Sequence, residues 1–386
     1  MSEALQPAPT LPPPSAHRRG ESMASWTAIK DCFDKDRQHF VYVRIDPARI
    51  VGRTVDPAPA RAGVHYFRLW LADLHLSKEI AWMKELIPAV HSVVRLDFGG
   101  RSGLEIPCIA DASTLKAEVG ATNIISRNRL LTPTLPFQGG TLAIQAGLLS
   151  LPGKNYLGGF LKTLSSLSTL LAVPQISSVL ALAAPLGEGI QELLSGDAGG
   201  RLHLGVLESY AASDLRSTYI AAIRATAGQI RPDSLWVVDD QLHTGSGKDR
   251  APLTGFDYML LRLELFTERD DWDQLESIAE PYAAMLDALA EGDKGRAESS
   301  LRQAIVAALK APELSQADRR RVAEALKKRY IESQSALQLP VFSGMDGATF
   351  SEAGGAGLGA LLRDAPPAEE AAREGALSLK EALAGI

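Results

Sequence analysis

The sequence predicts an α+β fold: an antiparallel, sandwich-like β-rich domain with a two-helix insert, followed by a C-terminal helical bundle. Three observations predict it. Short runs between residues 36 and 265 alternate apolar with polar positions, the period of a half-buried strand. Between Asn155 and Glu188 the chain carries one charge, Lys162, in a stretch dense with Leu, Ser, Gly and Ala. From Asp270 onward the apolar period becomes helical.

Taken in order, Val41, Val43 and Ile45 mark a strand that Pro47 ends. Val64 to Leu76 is a long strand with Phe67, Leu69 and Leu71 on one face. Ser77–Ile87 reads as a short helix that Ser77 caps and Pro88 ends. Val94, Leu96 and Phe98 alternate with Val93, Arg95 and Asp97; Gly99-Gly100 turns the chain, and Leu104 to Ile109 pairs back as a hairpin. Leu142, Ile144, Ala146 and Leu148 form another strand, as do Leu202, Leu204 and Val206. Tyr219 to Thr226, Leu235 to Leu242 and Met259 to Leu265 complete the set. Helices do not alternate with these runs, which argues against a doubly wound parallel sheet and for antiparallel sheets.

The apolar stretch reads as two amphipathic helices over 155–196. Leu157, Phe160, Leu161, Leu164, Leu167 and Leu171 share one face, Pro174 interrupts, and Val179, Leu180, Ala183, Leu186 and Ile190 trace a second. Lys162, Ser165, Ser166 and Thr169 lie opposite the first face. Thr163 to Gly187 has the length of a membrane span, but its serines and threonines, Gln175 and the central proline make its hydropathy marginal. The two-faced pattern fits a hairpin packed on protein. Reversible insertion into a bilayer is the alternative.

In the C-terminal third, Trp272, Leu275, Ile278, Tyr282, Met285 and Leu289 give a first helix that Gly292 breaks. Ala297, Leu301, Ala304, Ile305 and Ala308 give a second, stopped near Pro312. Ser315 with Asp318 resembles a capping box, with Asp in place of Glu, opening a third helix that runs to about Tyr330. These helices form a unit over 269–332. Residues 1–25 read as a disordered proline-rich leader and 334–386 as a mobile Gly/Ala/Glu-rich tail.

Composition is that of an ordinary globular protein: 386 residues, 46% hydrophobic, net charge −6. Cys32 and Cys108 form neither a disulfide framework nor a metal motif and fit a reducing compartment. With no secretory signature in the leader, the expected location is cytoplasmic. Charge is segregated. Residues 294–330 hold ten Lys or Arg against four acids, so the rest of the chain is net acidic. Such a basic helical face can meet an acidic protein, anionic lipid or phosphate; with Tyr330 the lone aromatic of this segment, single-stranded nucleic acid is disfavoured.

Catalytic motifs do not hold up. His243 to Asp249 resembles a phosphate loop, but Leu242 stands at the first Gly position and Asp249 replaces the magnesium-binding hydroxyl. It reads as a hairpin loop. Asp239, Asp240, His243 and Asp257 could gather at one sheet edge for metal binding or hydrolysis, but adjacent strand residues point to opposite faces. His65, His75 and His91 could pair with Cys108, which lacks any nucleophile signature and reads as a small buried residue.

The expected function is therefore non-catalytic: an interaction or assembly adaptor of a bacterial-type cytosol, with no cofactor, binding another protein or itself. The expected contact residues are Phe160, Leu164, Leu171, Leu180 and Leu186 of the insert and Arg319, Arg320, Lys327 and Lys328 of the basic helices. The alternatives are a membrane-active protein that inserts the apolar hairpin, and a hydrolase with its site near Asp240 and His243.

Overall fold

The computed structural model describes residues 40–76, 86–98, 101–110, 124–152, 201–226 and 228–337. The predicted insert, with Phe160, Leu164, Leu171, Leu180 and Leu186, lies outside the described residues, as do the leader and the chain after Leu337.

Among the described residues, antiparallel-rich sheets and three α-helices make this a mixed α+β protein. The central sheet orders β1 (Phe40–Arg44), β10 (Thr218–Arg224), β14 (Tyr258–Phe266), β3 (Tyr66–Leu76) and β6 (Ile124–Leu130), with β7 (Leu135–Pro136) also on β3. A second sheet orders β5 (Arg101–Ala110), β4 (Leu86–Phe98), β8 (Thr141–Pro152) and β9 (Arg201–Ala211). A small sheet orders β13 (Ala251–Pro252), β12 (Gln241–Thr244), β11 (Leu235–Val238) and β2 (Ile50–Val51). Among the described residues, every pairing is antiparallel except β2 with β11.

Alternation along the central strands places side chains in two separate cores, because successive residues point to opposite faces. On β14, Met259, Leu261 and Leu263 join residues of the second sheet, such as Val90, Ile144 and Val206, in the larger core. Tyr258 and Leu260 join Leu235, Val237 and Leu242 of the small sheet in the other. Strand β10 divides likewise: Ile220 and Ala222 face one core, Tyr219, Ala221 and Ile223 the other. Strand β3 keeps Phe67, Leu69 and Leu71 in the larger core, as its pattern predicts. A bulge then puts Leu71 and Asp73 opposite the consecutive residues Leu261 and Leu260. The extra residue, Ala72, shifts the phase, so that Leu74 and Leu76 return to the larger core while Asp73 points toward the small sheet.

Two strand predictions need correction. Leu86 and Ile87 belong to β4, and Pro88 lies within that strand opposite Ser150, so the predicted helix does not extend to Ile87 and Pro88 ends nothing. The rest of that helix prediction, residues 77–85, lies outside the described residues. Leu235 to Leu242 is not one strand but most of a hairpin, β11 and β12, joined through Asp239 and Asp240 at φ 49° and 64°. Two successive positive φ values are the signature of the two-residue turn that matches strand twist. The chain at Gly52 passes so close that a Cβ there would sit 2.0 Å from Asp239 Oδ1.

The α-helices among the described residues are α1 (Glu276–Ala290), α2 (Lys294–Lys310) and α3 (Gln316–Leu337), so the third runs past the predicted Tyr330. A 3₁₀ turn, Trp272–Gln274, precedes α1. Gly292, at φ 76°, ends α1 as its sequence predicts: its N–H donates to Leu289 O, and Asp293 N–H reaches back to Ala288 O. Asp293 then caps α2 by accepting from Arg296 N. The three helices share a core of Trp272, Leu275, Ile278, Ala304, Ala308, Val322 and Leu326. Among the described residues, no hydrophobic cluster combines strand with helix residues, and no helix is long and apolar enough to cross a membrane.

Candidate interaction surface

The helices meet the central sheet through a buried polar node built on the first turn of α3. Ser315 accepts the Asp318 N–H on its Oγ at 3.1 Å, which is one half of the predicted capping box. The reciprocal half is absent. Ser315 N–H instead donates to Tyr66 Oη at 2.7 Å, and Tyr66 O–H donates to Asp318 Oδ2 at 2.8 Å. The shorter aspartate side chain thus leaves its own cap and crosses to β3. The same Oδ2 accepts Arg269 N–H at 3.0 Å, and Oδ1 accepts from Arg321 Nε. Arg321 also donates to Arg269 O at 2.6 Å. The fully buried Arg269 guanidinium forms two hydrogen bonds with Asp271, at 2.6 and 3.1 Å. Ala317 N–H donating to Gly63 O and the Phe266 ring stacked on Tyr66 complete the joint. Burial, with Asp318 beside it, pushes the Tyr66 phenol well above its usual range, so it remains a donor.

This node fixes which side of α3 faces out. Asp318, Val322 and Leu326 are buried, so the opposite face, one hundred degrees per residue around, carries Arg320, Glu324, Lys327, Lys328 and Ile331. All five are exposed, Ile331 to 60%. Of the four predicted basic contact residues, Arg320, Lys327 and Lys328 therefore share one outward face. Arg319 turns away and donates to Ala311 O at 3.0 Å. Lys328 lies 3.8 Å from Glu332 and, with Trp272, Arg321, Ala325 and Arg329, lines a cleft of about 440 Å³. Arg320 borders a cleft of about 250 Å³ against Ala62, Gly63 and Val64, and Arg319 borders a neighbouring one of about 360 Å³ against Pro136 and Phe137.

The polar gathering considered near Asp240, and disfavoured by strand geometry, does not form a metal site among the described residues. Asp240 lies in the turn, which buries it to 6% exposure against the central sheet. Its carboxylate meets Arg262 at 2.8 Å and Arg53 at 2.9 Å and accepts the Tyr219 O–H. Burial alone would raise its pKa, but these partners outweigh it and hold the carboxyl below its ordinary value. Arg262 in turn lies over the Trp70 ring at 4.8 Å. His243 instead has Nδ1 at 3.2 Å from Gln241 O. Among the described residues no group of three His, Cys, Asp or Glu is placed to hold a metal ion.

The remaining chemistry candidates are structural. His91 is buried with Nδ1 at 2.9 Å from the Cys108 carbonyl, so the imidazole contacts the backbone of that cysteine. Burial lowers the His91 pKa to about 4 and pushes the Cys108 thiol far up, the reverse of an activated pair. His65 Nδ1 accepts Arg61 N–H, and His75 Nδ1 lies 2.9 Å from Phe256 O with its ring stacked on Tyr258. Of the segment read as a hairpin loop, His243 and Thr244 instead end β12 and pair with β11 and β13; the loop proper is 245–250, with Gly245 N–H donating to Ser234 O.

Sequence reasoning missed Tyr66, Arg269 and Arg321. The one available signal was the Asp at the Glu position of the capping box, too short to close that box. No known protein family, characterised protein or solved structure matches this chain.

Proposed function

We propose that this is a non-catalytic interaction or assembly protein of the cytoplasm, which docks an acidic protein surface on the outward face of α3. In this reading the central and second sheets form a sandwich-like β-rich domain, and the helices form a bundle that it carries. The observation supporting the reading is the division of charge on α3. Asp318 and Arg321 are consumed by the joint to β3, while Arg320, Lys327 and Lys328 point outward together around an exposed isoleucine. A basic rim around an apolar centre fits an acidic partner that offers one apolar side chain.

The test is titration of the full chain with a fluorescent polyglutamate peptide. Binding is expected to weaken as salt rises, because exposed charge pairs are screened. The variant Arg320→Glu/Lys327→Glu/Lys328→Glu is expected to bind at least about tenfold more weakly, with its fold unchanged because all three side chains are exposed. Equal binding by the two proteins would refute the assignment.

A further inference from the structure

We propose that the acidic surface met by the outward face of α3 is helix α1 of a second copy of this chain, so that copies join head to tail. The proposal rests on the reading of that face as a docking surface and names its partner.

Charge carries the first part of the argument. Ile278, Met285 and Leu289 of α1 are buried. The opposite side of the helix, at one hundred degrees per residue, therefore carries Glu276, Glu280, Ala283, Asp287 and Ala290. All five are exposed. Helix α1 contains no lysine or arginine, and neither Glu280 nor Asp287 forms an ion pair among the described residues. The face of α3 presents Arg320, Lys327 and Lys328 against Glu324. One face is thus acidic around alanines, the other basic around an isoleucine.

Spacing carries the second part. Arg320 and Lys327 are seven residues apart, as are Glu280 and Asp287. At 1.5 Å per residue both pairs span about 10.5 Å. With the helices parallel, Arg320 meets Glu280 and Lys327 meets Asp287. Glu324 then falls at the level of Ala283 and Ala284, away from the carboxylates, and Ile331 at the level of Ala290 and Glu291. Glu291 is already held by Arg296 at 2.7 Å. The small alanines let the two helices approach closely.

The donor of α1 must be another copy. Within one chain α1 and α3 share a core through Ile278, Val322 and Leu326. Each outward face looks away from that core, so the carboxylates of α1 do not reach the cations of α3 beside them. Each copy uses two different faces, so repetition of the contact builds open chains or a closed ring.

Sedimentation velocity of the full chain over about 1 to 200 µM tests this. Association is expected to grow with concentration and to weaken between about 0.1 and 1 M salt. The variants Glu280→Gln/Asp287→Asn and Arg320→Gln/Lys327→Gln/Lys328→Gln should each associate at least about fivefold more weakly, with the fold unchanged because all five side chains are exposed. Mixed one to one, the two variants should regain the contact but stop at a dimer, since only one intact acidic face and one intact basic face remain. A wild-type chain that stays monomeric would overturn the proposal, as would association that either variant leaves intact. Failure of the docking-surface reading shows separately, as polyglutamate affinity insensitive to charge reversal on α3. Polyglutamate that binds α3 while the chain stays monomeric overturns only the identity of the partner.

Discussion

Asp240 and Asp318 are both buried carboxylates that accept a tyrosine hydroxyl and pair with arginine, yet their surroundings differ. Asp240 joins the small sheet to the central sheet across a shared apolar core containing Tyr219, Ala221, Leu235 and Leu242. Asp318 joins the helices to the central sheet where no shared hydrophobic cluster exists among the described residues. In the first region burial of apolar area holds the layers together and the ion pairs set the turn. In the second, hydrogen bonds carry both attachment and orientation. Polar joints of this kind are directional, so the second region specifies which face of α3 looks outward, and damage to it should loosen one part of the molecule selectively.

The largest effect is expected at the first node. Asp240→Ala leaves Arg262, 6% exposed in its side chain, without its main counter-charge. Removing one partner of a buried pair costs about 3–5 kcal/mol. Because the layers share a core, urea denaturation should show a lower midpoint with a single transition; a change below about 1 kcal/mol would mean solvent already compensates Arg262.

The next effect depends on pH and belongs to the larger core. As pH falls through 6.5, the unfolded chain protonates at His91, whereas the folded chain resists until about 4. Stability is therefore fully present above 6.5 and declines below it by about 1.4 kcal/mol per unit, about 3 kcal/mol in all. Asp240, with its folded pKa depressed, adds a further loss as pH drops through that value. His91→Asn keeps a donor for the Cys108 carbonyl and removes the titration, so its stability should be nearly flat between pH 6.5 and 4.5. A wild-type slope retained in the variant would assign the pH dependence to other groups.

The contrast also explains what was legible in the sequence. Strand β14 could be read because its alternation sends each face into a different core, and β3 from the apolar face formed by Phe67, Leu69 and Leu71. The helices could be read from apolar spacing, and the end of α1 from Gly292. The hairpin at Asp239-Asp240 could not, since Asp-Asp lacks the Gly that usually marks positive φ, and the tertiary ion pairs that stabilise the turn come from β14 and the chain near Arg53. The path of Leu86 to Pro88 was hidden for a related reason. Proline is a poor strand residue that here finds a place within β4, and local propensity alone favours a helix end. Of the contact residues, exposure of Arg320, Lys327 and Lys328 followed from composition, but the divergence of Arg319 depended on the carbonyl of Ala311 at the end of α2. The joint at Asp318 links residues 252 positions apart, beyond the range of any local pattern.

The smallest chemical change gives the most direct test. Tyr66→Phe deletes one oxygen from strand β3, leaving Ser315 N–H without its acceptor and Asp318 without one donor. The cost is expected at about 1–3 kcal/mol. Hydrogen exchange of the full chain should show amides of α1, α2 and α3 exchanging at least about fivefold faster, with those of β10 and β14 unchanged. Faster exchange in the sheets and helices alike, or no change in the helices, would contradict attachment through this polar joint.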